Sequence, residues 1–317
     1  MSTADHRNLL AQVASYYYDE ELTQSQIAER LGISRVKVYR LLKEARAEDI
    51  VQIVINWPIN RAVSLEQALK QEFQLKDALV LESAQSNLLP ALSRLGQLGA
   101  RYLEQILDDG MTMAVCVGRS TYEVIHAIRP GFRARVDISQ AMGAMPFALQ
   151  EIDSAALARH LAVKLGGEVR YLSSPLMADS PEAAAIMRSQ RDIRRTLDAA
   201  RTADVALVGI GNLDPAISGF AKAGFISGEE LDQLKQQGAI GDIAGHIFNM
   251  AGQLQPCAYN ERLIGITLAE LGQIATTIAV AVGREKGRAM LGALRTGVID
   301  VLCTDDRAAE EILRLHS

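Results

Sequence analysis

The chain has 317 residues, of which 49% are hydrophobic and 22% charged, enough for two domains with a sizeable core and no need of covalent staples. A net charge of −5 excludes a surface coated all over with nucleic acid, although it allows a local basic patch. Cys116, Cys257 and Cys303 lie far apart and form no C-x-x-C pair, which excludes a zinc ribbon and a disulfide framework; they read as buried small hydrophobes in a reducing compartment.

The N-terminus lacks a basic segment followed by an apolar run, so it does not read as a secretory signal. The most apolar stretch, Ile274 to Val282, is far shorter than the roughly 20 residues a membrane crossing needs. The expected location is therefore the cytoplasm, with no membrane partner. The first fifty residues read as helices. Thr23-Gln-Ser-Gln26 has capping-box spacing and opens a helix from Gln24 to Leu31 that turns Ile27, Ala28 and Leu31 inward. Gly32 ends it, Ile33 anchors the turn, and Ser34 caps the next helix, Arg35 to about Glu48. That grammar predicts a helix-turn-helix. Its second helix sets Val38, Leu41, Leu42 and Ala45 on one face. Between Ser34 and Arg46 stand five basic residues against one acid, Glu44, so positive charge concentrates on the helix that would enter a major groove. The expected DNA-contacting residues are Thr23, Gln24, Ser34, Arg35, Lys37, Tyr39, Arg40 and Lys43, with arginine able to read guanine edges. Of Tyr16, Tyr17 and Tyr18, one hydroxyl could meet a phosphate, but packing of the small core is the expected role.

A strand is expected at Ile50 to Ile55. Asn56-Trp57-Pro58 then breaks the pattern and sets the domain boundary, giving a DNA-binding domain at 1–56 and a larger domain at 57–317. Beyond it, helical spacing at Leu65, Leu69 and Phe73 leads into a strand at Ala78 to Leu81. A long helix follows at Leu88 to Leu107, then a strand at Met111 to Val117 and a helix from about Tyr122. Further strands are expected at Asp204 to Ile210, Leu263 to Thr267, Ala275 to Val282 and Val298 to Cys303. Short strands that are apolar throughout and alternate with helices predict an α/β domain whose mostly parallel sheet is covered on both faces.

Four loops have ligand-binding character. Val117-Gly118-Arg119-Ser120-Thr121 joins a strand to a helix, where glycine, hydroxyls and a helix N-terminus suit an anion; it lacks the lysine and spacing of a Walker motif. Val208-Gly209-Ile210-Gly211-Asn212 follows a buried strand, the place where parallel sheets put ligands. Gly238-Ala-Ile-Gly241-Asp242 reads as a turn presenting one carboxylate. Val282-Gly283-Arg284-Glu285-Lys286-Gly287-Arg288 opens a helix and carries three cations. His6, His126, His160, His246 and His316 are scattered without ligand spacing or a triad pattern, so neither a metal site nor a catalytic residue is expected, and no cofactor.

These segments together resemble the SorC-type sugar-binding regulators, which include sorbitol-operon and deoxyribonucleoside regulators. The resemblance runs through Leu22 to Ser34, Val38 with Arg40-Leu-Leu42, Gly118 to Thr121, Gly209-Ile-Gly211, Gly241-Asp-Ile243, and Gly283 to Lys286 with Val298 to Asp306. It implies a Rossmann-like sensor domain similar to sugar-phosphate isomerases, with the enzyme's site reused for an effector, and a homotetramer on palindromic operator DNA. The effector-binding residues would be Gly118, Arg119, Ser120, Thr121, Gly209, Gly211, Asp242, Arg284 and Lys286. By position, Ser120 and Thr121 would hold phosphate, Asp242 sugar hydroxyls, and Lys286 either. The chain departs from the pattern where Cys116-Val117-Gly118 replaces an aromatic-containing loop and where Tyr39 replaces a small hydroxyl residue. The expected function is transcriptional control of a carbohydrate or polyol operon by a phosphorylated sugar or polyol. The alternative is a sugar-phosphate isomerase or deaminase with an accessory helix-turn-helix, using Asp242 as base and Lys286 as electrophile.

Overall fold

The computed structural model describes residues 3–48, 50–51, 56, 58–83, 88–145 and 154–317. The chain divides into two units, Met1–Asn56 and Trp57–Ser317.

Helices α1 (Thr3–Tyr18), α2 (Gln24–Leu31) and α3 (Arg35–Ala47) build the N-terminal unit. Thr23 caps α2 in a full capping box, and Gly32 ends it at φ 63° in the left-handed region that costs glycine nothing. Ser34 accepts the Lys37 amide at 3.2 Å and opens α3. Leu10, Val13 and Ala14 of α1 close on Ile27 of α2 and on Val38, Leu41, Leu42 and Ala45 of α3. Residues 52–55 of the strand expected at 50–55 lie outside the described residues. Ile50 and Val51 form a bend instead, with both amides on the Ala45 carbonyl, and they pack on this core.

The larger unit begins with α4 (Val63–Phe73), β1 (Asp77–Leu81), α5 (Leu88–Ile106), β2 (Thr112–Val115) and α6 (Arg119–Ala127). Then come β3 (Asp137–Gln140), α7 (Ser154–Leu165), β4 (Val169–Arg170), α8 (Pro181–Ser189), α9 (Arg191–Arg201) and β5 (Val205–Asn212). Two short helices, α10 (Gly219–Lys222) and α11 (Gly228–Gln236), lead to β6 (Ala239–Ile243) and β7 (His246–Asn249). The chain closes with α12 (Ala258–Arg262), α13 (Leu268–Leu271), β8 (Thr276–Val280), a 3-10 turn at Arg284–Lys286, α14 (Gly287–Arg295), β9 (Val301–Asp305) and α15 (Asp306–His316).

Seven strands lie in the order β1-β9-β8-β5-β2-β3-β4, all parallel. Alternate residues feed opposite faces: Ala114, Ala206, Val208 and Ala279 pack into one core, Met113, Val115, Leu207 and Ile278 into the other. From β2 the chain steps outward to β3 and β4; from β5 it steps the other way to β8 and β9. The β2–β5 gap is thus the point where strand order reverses, and a crevice opens there beyond the carboxyl ends of the strands.

Two expected features differ. Of the turn expected at Gly238 to Asp242 only Gly238 is in one, and Ala239 to Asp242 is strand: β5 runs three residues past its parallel partner, and β6 pairs with that overhang antiparallel, Gly211 opposite Asp242. Leu263 to Thr267 makes only isolated bridges, Leu263 to Met177 and Gly265 to Met142, because it runs along the sheet's loops rather than within its plane. The strands β3, β4 and β7 had no sequence expectation; β4 is two residues long, too short for any periodic signal.

Candidate functional site

On the N-terminal unit, α3 turns its apolar stripe inward and leaves Arg35, Lys37, Tyr39, Arg40 and Lys43 exposed, Tyr39 at 57%. Among the described residues, the side chains of Arg35, Lys37, Arg40 and Lys43 carry no ion pair or hydrogen bond. Thr23 and Ser34 are exposed but engaged as caps, and Gln24 is half-buried at the start of α2. The acid of this helix, Glu44, points back to α1, where His6 Nε2 meets its Oε1 at 2.7 Å. Tyr16 packs on the core, with the Arg30 guanidinium 4.2 Å above its ring, while Tyr17 and Tyr18 are exposed. A helix whose outward cations are unneutralised suits a polyanion in the major groove.

In the larger unit the crevice between β2 and β5 opens into a cavity at the carboxyl ends of the strands, the usual place for a ligand site in a parallel sheet. Gly118, Arg119 and Ser120 reach it from the start of α6, Gly209 and Gly211 from the end of β5, Asp242 from β6 and Lys286 from the 3-10 turn. Seven of the nine expected effector residues therefore share one wall. Thr121 does not: it is fully buried and holds the loop from behind, its hydroxyl taking the Gly118 amide at 2.8 Å. Arg284 lies outside the cavity as well. The turn at Gly283 swings it outward to Glu311 of α15, 3.2 Å away, and the paired arginines Arg314 and Arg284 pull the Glu311 carboxyl down to about 2.

The electrostatic centre of the cavity is the pair Asp242 and Lys286. Burial pushes the Asp242 carboxyl up to about 7, opposed by the Lys286 charge and the Gly245 amide. Burial also lowers the Lys286 ammonium, which Asp242 and Glu285 partly restore; its Nζ donates to the Ile210 carbonyl at 2.9 Å. Gly211 makes room for this arrangement, since a Cβ there would lie 1.9 Å from Asp242 Oδ1. Cys116 sits on the same wall, its thiol raised to about 12 by burial and by Asp242. With Arg119 and Lys222, Lys286 makes three cations against one acid, while Met142, Met145, Ile217 and Phe220 supply apolar surface. Such a site can bind an anion at one end and accept hydrogen bonds from hydroxyls at Asp242.

Sequence reasoning missed Lys222, Phe220 and the two methionines. Asn212 at least lay in a loop singled out for its glycines. Lys222 lies in a four-residue helix with no strand before it, a place that no motif marks.

A helix-turn-helix bearing free cations, in one chain with an α/β unit whose cation-lined cavity sits at a topological switch point, is the make-up of a ligand-responsive DNA-binding regulator. Residues 57–314 match the family described as "Putative sugar-binding domain", and residues 10–48 match region 4 of sigma-70. The chain belongs to this sugar-binding family, that of the SorC-type transcriptional regulators. It is 33% identical to the transcriptional regulator LsrR of Enterobacter sp. (strain 638), over 97% of this chain and 93% of that one. It is likewise 33% identical to the sorbitol operon regulator of Klebsiella pneumoniae, over 99% of this chain and 100% of that one. The crystal structure of the full-length Klebsiella regulator superposes with a TM-score of 0.72 at 32% identity, covering 98% of this chain and 99% of that one. The sugar-binding domain of a Vibrio fischeri transcriptional repressor gives 0.73 at 32% identity, covering 80% and 99%. No helix among the described residues is long and apolar enough to cross a membrane.

Proposed function

We propose that this regulator acts in the cytoplasm on a carbohydrate or polyol operon, as a homotetramer whose paired heads grip a palindromic operator, and that a phosphorylated sugar or polyol in the β2–β5 cavity sets its operator affinity. The observation that carries this reading is the cavity's charge pattern: Arg119, Lys222 and Lys286 around a single carboxylate. A phosphate among the cations and hydroxyls on Asp242 would satisfy both ends. The names of the relatives, for a sorbitol operon and for deoxyribonucleosides, favour a ligand of this class. In the head, Arg35, Lys37, Tyr39 and Arg40 are the proposed base or phosphate contacts, Lys43 a phosphate contact, and Thr23, Gln24 and Ser34 backbone-positioning ones. Ligand and operator would be coupled by about 1–3 kcal/mol, the usual range for two linked sites.

An enzymatic reading has one feature in its favour, the Asp242 carboxyl poised near neutrality. Against it, the described wall of the cavity offers no histidine and no second carboxylate to take the other half of a proton transfer. We therefore read the site as a sensor that returns its ligand unchanged.

The test is a thermal-shift screen of free and phosphorylated sugars and polyols, followed by operator binding with the best ligand. Lys286→Ala should fold, bind operator and lose about 1.5–3 kcal/mol of ligand affinity. Full ligand response in Lys286→Ala sinks the site assignment, and turnover of a sugar phosphate sinks the sensor reading. Sedimentation velocity of the full chain should give a tetramer; a monomer at micromolar concentration contradicts paired heads.

A further inference from the structure

The same helix that presents the DNA-facing cations carries a second, unassigned cluster on its inner flank. His6 of α1 faces Glu44 of α3 and Glu48, the C-cap residue just past it, and one ligand atom from each lies within 4.8 Å of the other two. Glu44 and Glu48 are one helical turn apart, so both carboxylates project from one side of α3 and its cap, and His6 already touches the first at 2.7 Å. Arg7 is the cation near Glu48, at 3.8 Å, beyond hydrogen-bond distance. The three side chains are 36%, 42% and 38% exposed, open enough for an ion to enter and for water to complete its coordination.

We propose that His6, Glu44 and Glu48 form a binding site for a divalent transition ion of the Zn²⁺ class that ties α1 to the DNA-reading helix and strengthens DNA binding. One imidazole and two carboxylates are a donor set that Zn²⁺ takes at about 2.0–2.2 Å, with water in the fourth position. The ion would also change the charge that DNA meets. Glu44 is the single acid among the residues from Ser34 to Arg46, and a bound dication cancels it, together with Glu48 at the cap, beside the helix that carries Arg35, Lys37, Arg40 and Lys43. Each additional net phosphate contact raises affinity by about fivefold at physiological salt.

The experiment uses the full-length protein without a polyhistidine tag, Zn²⁺ alone as the probe, and a DNA duplex selected by the protein from a random pool. Equilibrium dialysis should find one more Zn²⁺ per chain in the wild type than in a His6→Ala, Glu48→Gln double variant. Glu48→Gln alone, at an exposed helix end, should weaken that binding by more than about tenfold and serves if the double variant does not fold. In the wild type, Zn²⁺ should tighten duplex binding about fivefold over the chelator-treated protein at fixed ionic strength, and in the variants it should not. Equal Zn²⁺ uptake by the wild type and the variants overturns the site. Uptake that the variants lose, with duplex affinity unchanged by the ion, overturns its link to DNA binding.

Discussion

The head and the body hold their candidate site residues in opposite states. In the head, Arg35, Lys37, Arg40 and Lys43 are exposed on one helix with no ion pair among the described residues, and the apolar core beneath is built without them. In the body, Asp242 is buried, Lys286 is pinned to a backbone carbonyl, and the site exists only because segments more than a hundred residues apart meet at one crevice. A surface that binds a polyanion can wait bare, because water solvates its charges at no structural cost. A cavity that recognises a small molecule must hold its charges out of water beforehand, and it holds them against one another.

The sharpest way to break this comparison is at Asp242. Its folded pKa of about 7 lies above the 3.8 of a free carboxyl, so ionising it opposes folding. The penalty is absent below 3.8, grows as the pH rises toward 7 and is constant above that. Asp242→Asn removes it, so relative to the wild type the variant should gain stability from pH 4 to pH 8, by about 4 kcal/mol at most at 1.36 kcal/mol per unit, less whatever Lys286 loses with its partner. Denaturant unfolding of both proteins across that range reads the difference; a gap that stays flat means that Asp242 is not held in its neutral form.

The contrast also governs what could be read in advance. The helix-turn-helix was legible almost to the residue, since caps at Thr23 and Ser34, a glycine at 32 and an apolar stripe all act within a few residues. Seven cavity residues were legible as loop chemistry, yet the reason they converge was not. The antiparallel pairing that sets Asp242 over Gly211 is a contact across 31 positions, and Gly238 to Asp242 reads locally as a turn. Arg284 shows the limit in the other direction. Three cations in one segment looked alike, and only the partner on α15 decides that Arg284 turns away while Lys286 turns in.

The head should respond more weakly and more simply. Replacing Arg35 or Arg40 with Ala should cost about 1–3 kcal/mol of binding to a selected duplex, with the melting temperature and ligand affinity unchanged. Binding at wild-type strength in both variants, at one fixed salt concentration, removes them from the DNA face. The smallest effect is expected at Gly211→Ala. The added methyl meets the whole Asp242 carboxyl group rather than backbone, so this buried side chain must shift to keep the fold, with ligand affinity falling by about 1 kcal/mol. Calorimetric titration with the ligand checks this; an unchanged affinity shows that Asp242 need not lie over Gly211 for binding.

The state of the Cys116 thiol, on the cavity wall, has a chemical consequence. With its pKa raised to about 12 by burial, it stays a thiol at neutral pH, whereas the thiolate is the form that peroxides and electrophiles attack. A sulfenic or alkylated adduct there would fill space that a ligand in the cavity needs. Because the same burial that shapes the cavity keeps this sulfur in its thiol form, oxidants and electrophiles should modify Cys116 slowly while the protein is folded.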